Sequence, residues 1–272
     1  MQNLKCDVAI IGGSLGGVAA ALAVLRHGRS VILTEEYAWL GGQASSQAVP
    51  PDENKYIETL SGTASYRHWR NLVRDYYRRY YPLKDEFRAN TFLNPGGGSV
   101  SPLCHEPRVS AAVFEAMLAP YLSNGQLQLL PGFIPVGAEL AGYRLPQAGR
   151  PEEASVSGRQ VRAVTLQNKK TAATVSIEAA YFLDATELGE LLPLTRTEYV
   201  TGAEARSDTG ELHAPLQTDP QDIQSLTWCF AVSREKTGQF VIPKPAAYEH
   251  FSQLRYSFWP GSLFSWVYSQ PI

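Results

Sequence analysis

Apolar residues form a short run near the start of the chain, at 8–11, in which β-branched side chains predominate. Such a run predicts a strand that is buried on both faces. Several glycines follow it, and residues 18–25 then have the alanine- and leucine-rich composition of a good helix former. Residues 30–34 predict a second buried strand. The chain is therefore expected to begin as a strand–turn–helix–strand unit of an α/β fold.

Residues 65–81 predict a long helix, because aromatic and aliphatic side chains recur there at steps of three and four residues. Ser65 is the expected N-cap, and Pro82 is expected to end the helix. Arginines at 67, 70, 74, 78 and 79 give this helix a basic face. Such a face could bind nucleic acid or an anionic substrate, but solvation or pairing with nearby acids is the more ordinary interpretation.

The pattern then changes to a period of two. Residues 127–130 predict a third parallel strand. Alternation of apolar and polar residues predicts a three-stranded antiparallel meander at 136–143, 161–166 and 173–177. Proline and glycine predict a polar loop at 144–160 between the first two of these strands. A buried strand at 180–184 is expected to return the chain to the parallel sheet.

The glycines after the first strand resemble the fingerprint Gly-x-Gly-x-x-Gly, with Gly12 in the first place and Gly17 in the third. Ser14 stands in the second place, and Gly13 and Gly16 complete the turn. Strand, glycine turn and helix N-terminus together form a cradle for a phosphate group. The serine is small, and its hydroxyl could donate to a phosphate oxygen. A glycine-rich turn without a ligand is the alternative.

Two acids end the second predicted strand. Glu35 lies 23 residues after Gly12, which is the spacing at which an acid accepts hydrogen bonds from an adenosine ribose. Glu35 is therefore the first candidate for ribose binding and Glu36 the second. A solvated acid at a strand end is the alternative interpretation.

A second glycine segment follows at Gly41 and Gly42, and continues with Gln43 and Ala44. With this pair after the ribose acid, the chain resembles the FAD-dependent oxidoreductases built on the glutathione-reductase type of dinucleotide fold. In that family the pair begins a segment that runs along the diphosphate toward the flavin. The resemblance implies that these four residues contact FAD. A simple glycine loop is the alternative.

The end of the return strand strengthens the resemblance. Members of the family end this strand in Ala-Thr-Gly or Asp-Ala-Thr-Gly, which passes under FAD. In this chain Glu187 replaces the glycine, as in a subset of the family that carries Asp-Ala-Thr-Glu at this place, and the next glycine comes two residues later. By resemblance, the expected FAD contacts in the second half of the chain are Val136, Asp184, Ala185, Thr186 and Gly189.

The resemblance implies an α/β architecture: a Rossmann-like FAD-binding domain with a central parallel sheet and a β-meander crossover, plus part of a mixed α+β substrate domain. The FAD-binding core is expected at 1–46 and 104–192, with a helical insertion at 47–103 and a partial substrate or cap domain at 193–272. Pieces of that last domain are expected at 199–206, 227–232 and the aromatic stretch 258–268. The Gly-Asp dipeptide that holds the ribityl region in the family is not found in the sequence. We therefore expect an N-terminal portion of a longer protein.

Candidate catalytic residues cluster just before a predicted helix at 109–118. Cys104, His105 and Arg108 lie within five residues of one another. A histidine titrates near neutral pH and can act as a general acid–base, and an arginine can bind a carboxylate through two hydrogen bonds. Capping and packing at the start of the helix are the alternative roles for these residues.

Composition narrows the possible classes of protein. Of 272 residues, 44% are hydrophobic and 18% charged, as expected for a globular chain, and the net charge of −2 does not favour nucleic acid as a partner. The longest apolar stretch, 8–25, is short for a membrane span and lacks the basic start of a signal peptide. We therefore expect a cytoplasmic protein that is not bound to a membrane. Three widely spaced cysteines predict reduced thiols and no metal site.

The sequence thus favours an FAD-dependent oxidoreductase that transfers hydride between the flavin and a small organic substrate. An NAD(P)-binding dehydrogenase is the first alternative, because it would use the same glycine turn. A truncated, non-catalytic relative that binds FAD weakly is the second. The sequence leaves the oligomeric state open.

Overall fold

The computed structural model describes residues 2–142, 159–226, 229, 233, 235–255 and 257. The chain forms two compact units, Met1–Phe230 and Ala231–Ile272. Most of the predicted polar loop, most of the piece expected at 227–232 and the aromatic stretch 258–268 lie outside the described residues. The domain boundaries expected from the sequence stay predictions.

The first unit is built on one six-stranded mixed sheet in the order β3-β2-β1-β6-β5-β4. Its strands are β1 Gln2–Ile11, β2 Val31–Glu35, β3 Leu127–Pro131, β4 Phe133–Gly142, β5 Arg159–Asn168 and β6 Thr174–Asp184. Neighbours among β3, β2, β1 and β6 are parallel, whereas β4, β5 and β6 pair antiparallel. This arrangement confirms the predicted α/β fold with its parallel core and β-meander crossover.

One prediction about the sheet was wrong. The third meander strand and the return strand, expected as separate elements at 173–177 and 180–184, are the single strand β6. No glycine or proline interrupts this segment, and it pairs with β1 from Gln2 beside Val175 to Ile11 beside Asp184. The first half of β6 also pairs with β5. One strand thus completes the antiparallel meander with β5 and also joins the parallel part of the sheet beside β1.

The first strand is buried on both faces, as its composition predicted. Val8 and Ile10 pack in a core that the helices cover, and Ala9 and Ile11 pack in a second core. The second core also contains Val164 and Leu166 of β5 and Ile177 of β6, so the meander covers the other face of the parallel strands. Burial of both faces fixes the end of β1, from which the first glycine turn leaves.

The helices of the first unit are α1 Leu15–Arg26, α2 Ala64–Tyr80, α3 Asp85–Ala89, α4 Pro107–Ser123, α5 Leu191–Thr195 and α6 Arg206–Thr209. The second unit contains α7 Tyr248–Gln253. Helix α4 is longer than predicted at both ends, and Pro107 takes the first helical position, where its missing N–H costs nothing. Within the described part of the chain, none of these helices is both long and apolar enough to cross a membrane.

Helix α2 begins and ends slightly earlier than predicted. Its N-cap is Thr63, whose hydroxyl accepts a hydrogen bond from the Tyr66 N–H at 3.2 Å, so the assignment of Ser65 as the cap was wrong. The last helical residue is Tyr80, because Tyr81 precedes Pro82 and is pushed into an extended conformation. Arg70 and Arg74 of the basic face are buried and pair with acids, as the ordinary interpretation expected.

Candidate functional site

A cleft opens where β1, β2 and β6 end. It is lined by the first glycine turn, the end of β2, the start of β4 and the turn after β6. Carboxyl ends of parallel strands are the usual place for a ligand in a doubly wound sheet. The titratable side chains of the lining are Glu35, Glu36, Tyr37, Glu187 and Glu190.

The first glycine turn is packed so tightly that side chains would not fit. Gly12 has φ +101°, and a Cβ there would lie 2.2 Å from the carbonyl oxygen of Ala185. A Cβ at Gly17 would lie 2.2 Å from the carbonyl oxygen of Gly12. Both glycines therefore allow α1 to start directly behind β1 and beside β6. Thr34 holds the same turn, because its hydroxyl accepts from the Gly12 N–H at 3.1 Å.

Ser14, in the second place of the fingerprint, is the N-cap of α1. Its Oγ accepts from the Gly17 N–H at 3.2 Å, and its carbonyl oxygen accepts from the Val18 N–H at 2.9 Å. The Ser14 hydroxyl hydrogen remains available for a ligand. Gly16 lies exposed in the first turn of α1, where N–H groups lack partners within the helix. This end of the helix can therefore bind an anion.

Glu35 lies at the end of β2 with its carboxyl group facing the glycine turn. One oxygen accepts from the Gly13 N–H at 2.9 Å, and the other accepts from the Tyr37 N–H at 2.9 Å. Burial raises the pKa of Glu35, although these two hydrogen bonds act in the opposite direction. A carboxylate has about four acceptor positions, so Glu35 can still accept from a ribose hydroxyl.

Glu36, the second acid, pairs with Lys169 at 2.6 Å, and the ammonium group lies 5.2 Å from the centre of the Tyr37 ring. Lys169 belongs to the turn between β5 and β6, 133 positions from Glu36. Sequence reasoning missed Lys169, because only the folded meander brings it to Glu36. Pro135 and Glu190, which line the cleft, were missed for the same reason.

The second glycine segment is joined to the first. The Gly41 N–H donates to the carbonyl oxygen of Gly13 at 2.7 Å, and Gly41 has φ +111°. A Cβ at Gly41 would lie 2.3 Å from Phe114 of α4. Gly42–Ala44 then form one turn of 3₁₀ helix, in which Ala44 is buried and Gln43 exposed. Backbone rather than side chains thus forms this wall of the site.

The turn after β6 completes the site. The Ala185 N–H donates to the carbonyl oxygen of Ile11 at 2.7 Å, which holds the turn beside the end of β1. The Asp184 carboxylate accepts from the Thr186 N–H and hydroxyl at 3.0 and 2.7 Å and from the Leu191 N–H at 3.0 Å. Gly189, with φ +69°, lets the chain reverse into α5. Asp184 therefore shapes the turn.

The remaining cofactor candidate, Val136, lies on β4 with 43% of its surface exposed. Its neighbours Phe133, Ile134 and Pro135 line the cleft. The structure thus brings the start of β4 to the site, next to the residue that the sequence indicated.

The three catalytic candidates lie near one another in sequence but do not converge on the cleft. His105 is partly buried, its Nδ1 lies 2.7 Å from the Leu103 carbonyl oxygen, and its Nε2 lies 2.5 Å from the Ser110 hydroxyl. Burial lowers the pKa of His105. Cys104 is buried, and its thiol donates to the Ser101 carbonyl oxygen at 3.4 Å. Arg108 is exposed and pairs with Glu106. Their catalytic role stays a prediction.

Within the described part of the chain, no group of three or more histidine, cysteine, aspartate or glutamate side chains is placed so that it could hold a metal ion. Cys6 and Cys104 are free thiols.

A family model described as FAD dependent oxidoreductase matches residues 7–262. No curated protein matches the chain. Among solved structures, THI4 of Thermovibrio ammonificans is 15% identical with a TM-score of 0.40, over 74% of this chain and 67% of that one. L-proline dehydrogenase from P. horikoshii is 17% identical with a TM-score of 0.33, over 68% and 23%. The flavin-dependent monooxygenase PieE is 15% identical with a TM-score of 0.32, over 68% and 31%. The chain thus spans between 23% and 67% of the length of these structures.

Proposed function

Because the chain belongs to the FAD-dependent oxidoreductase family, we propose that its cleft holds FAD and that the protein transfers hydride between this flavin and a small organic substrate. FAD, when bound, supplies the hydride chemistry. The residues of the chain supply binding, orientation and electrostatics.

The observation that carries this proposal is the joining of two glycine segments. The Gly41 N–H donates to the Gly13 carbonyl oxygen, so the second segment starts directly beside the phosphate-binding turn. A ligand held at the first turn therefore meets a continuous backbone wall that leads onward through Gly42–Ala44. In the FAD-dependent oxidoreductase family the second glycine segment runs along the diphosphate toward the flavin, whereas a domain that binds only NAD(P) has no use for this segment.

The residues at the cleft fit the adenosine diphosphate part of FAD. The first turn of α1 presents N–H groups and the Ser14 hydroxyl to a diphosphate. Glu35 is held by Gly13 at the edge of the same turn, where it can accept from ribose hydroxyls. Small residues at Ala185 and Gly12 let the ends of β1 and β6 approach closely. We assign the binding of the diphosphate to the first turn of α1 with the Ser14 hydroxyl, and the binding of the ribose to Glu35.

Calorimetric titration of ADP and FAD tests this proposal. In Gly17→Ala the new Cβ would lie 2.2 Å from the Gly12 carbonyl oxygen, so α1 must move away from the turn. We expect at least a tenfold loss of ADP affinity, equivalent to about 1.4 kcal/mol. Gly137→Ala, on β4, is the matched control, because its Cβ would make an ordinary contact with Thr165 of β5 at 3.8 Å.

Two further measurements complete the test. Circular dichroism shows whether Gly17→Ala retains its fold. Glu35→Gln, which keeps the size of the side chain, should weaken the binding of ADP more than the binding of pyrophosphate, because pyrophosphate has no ribose. Equal ADP affinity in the wild type, Gly17→Ala and Glu35→Gln would contradict the assignment. Stoichiometric binding of NAD(P) in preference to FAD would favour the dehydrogenase alternative.

A further inference from the structure

Glu187 lies in the cleft, two residues before Gly189. A Cβ placed on Gly42 would lie 2.3 Å from Oε1 of Glu187 and 3.3 Å from the Cα of Ser14. The carboxylate of Glu187 therefore rests against the second glycine segment, close to the N-cap of α1. Glu187 lies within the turn that the Asp184 carboxylate shapes by accepting from the N–H groups of Thr186 and Leu191.

The carboxylate of Glu187 lies near the N-terminus of α1, where the charge of the helix end favours an anion. The N-terminus of a helix carries a partial positive charge and attracts a carboxylate as it attracts a phosphate. Glu187 is exposed, and its carboxylate makes no hydrogen bond or ion pair with any residue that the structure describes. Its side chain is thus held by no specific partner and is able to turn away.

The other charges of the cleft do not offset Glu187. Glu35, Glu36 and Glu190 line the same cleft, and Lys169 pairs with Glu36. Burial raises the pKa of Glu35, and the charges of Glu187 and Glu36 add to this effect. A diphosphate entering the cleft therefore meets a carboxylate of its own sign next to the turn that binds it.

We propose that Glu187 sets the cofactor affinity of this protein, because its carboxylate competes with the diphosphate for the first turn of α1. This inference rests on the proposed function and concerns the same site. Replacing the charge while keeping the size of the side chain should strengthen the binding of ligands that carry phosphate. Ligands without phosphate should not respond.

The experiment compares adenosine, AMP and ADP by calorimetry on the wild type and on Glu187→Gln. We expect ADP to bind about tenfold more tightly to Glu187→Gln, AMP to gain less, and adenosine to be unchanged within about twofold. Glu178→Gln is the matched control. It removes the same charge from an exposed position on β6, beside Lys5 rather than beside the glycine turn, and should bind ADP as the wild type does.

Each result has a distinct meaning. Equal ADP affinity in the wild type and Glu187→Gln would overturn this inference and leave the proposed function intact. An equal gain for adenosine would also overturn it, because the effect would then not depend on charge. Absence of ADP binding in every folded variant would overturn the proposed function and this inference with it. Thermal unfolding of each variant checks that it is folded.

Discussion

His105 is partly buried, and both of its ring nitrogens have hydrogen-bond partners. Leu103 offers a carbonyl oxygen to Nδ1, and the Ser110 hydroxyl faces Nε2. A neutral ring satisfies both, with Nδ1–H donating to Leu103 and Nε2 accepting from Ser110. Protonation would place a second N–H against the Ser110 hydroxyl. This environment gives His105 a structural role that is independent of any part in catalysis.

The stability of the fold should therefore depend on pH through His105. Burial lowers its pKa below the ordinary 6.5, and the charges of Glu53 and Arg70 act on it in opposite directions. As pH falls, the unfolded chain takes up this proton before the folded chain does, so the free energy of unfolding should decrease below about pH 6.5. Urea denaturation between about pH 5 and pH 8 measures the slope.

His105→Gln tests this assignment, because its amide can both donate and accept but does not titrate. We expect the contribution of His105 to the slope to disappear, whatever the overall change in stability. His68→Gln, at an exposed position on α2, should keep the slope of the wild type. Identical slopes for His105→Gln and the wild type would show that His105 is not the group responsible.

At the scale of elements, α2 is connected to the second glycine segment through stacked rings. The ring of Trp69 on α2 lies parallel to that of Phe114 on α4, with 5.6 Å between centroids and an angle of 4°. Phe114 in turn occupies the space that a side chain at Gly41 would need. The predicted helical insertion thus supports the cofactor wall from behind.

The segment before α2 is tied to the helix by buried charges. Arg70 pairs with Glu53 and Glu58, and the side chains of Arg70 and Glu53 are 2% and 1% exposed. Arg74 also pairs with Glu58, and the Tyr66 hydroxyl donates to Glu53 at 2.7 Å. Because removal of one member leaves another charge buried without its partner, such a network is sensitive to single substitutions.

We expect Arg70→Met to lower the free energy of unfolding by about 3–5 kcal/mol, measured by urea denaturation. Arg79→Met on the same helix should cost about 1 kcal/mol or less, because Arg79 is exposed and makes no ion pair within the described part of the chain. In the double variant with Glu53→Gln, part of the loss should be recovered, since Glu53 no longer carries a buried charge. Equal losses for Arg70→Met and Arg79→Met would show that the network contributes little.

For the whole molecule, the sequence predicted what local pattern determines. The β-branched run of β1, the helix after Gly17 and the alternation in the meander each depend on neighbouring residues, and the structure confirms these elements. Glu35 could be located by its distance from Gly12. The sequence could not show that β6 is continuous, because pairing with β1 along its whole length determines this.

Contacts over long separations explain the other differences. Lys169 reaches Glu36 only through the folded meander, and Glu187 reaches Gly42 only because β6 lies beside β1. Cys104, His105 and Arg108 are close in sequence, but Cys104 is buried, His105 is partly buried, and Arg108, within α4, is exposed and pairs with Glu106. Closeness in sequence thus does not determine whether the three side chains face the same space, and their catalytic role stays a prediction.

The two compact units allow a final prediction for the whole chain. All residues that line the cleft belong to Met1–Phe230. ADP bound there stabilises the folded form by RT ln(1 + [L]/Kd), which is about 2.7 kcal/mol at a hundredfold excess over Kd.

Amides of the first unit that exchange through its unfolding should therefore exchange about a hundredfold more slowly. Residues 235–255 of the second unit should exchange at an unchanged rate. Hydrogen exchange read by mass spectrometry separates these regions. Gly17→Ala supplies the control, in which ADP at the same concentration should protect the first unit at least about tenfold less. Protection confined to the second unit would place the nucleotide outside the cleft between β1, β2 and β6. A bound ligand slows exchange most at those amides whose local opening requires the ligand to dissociate.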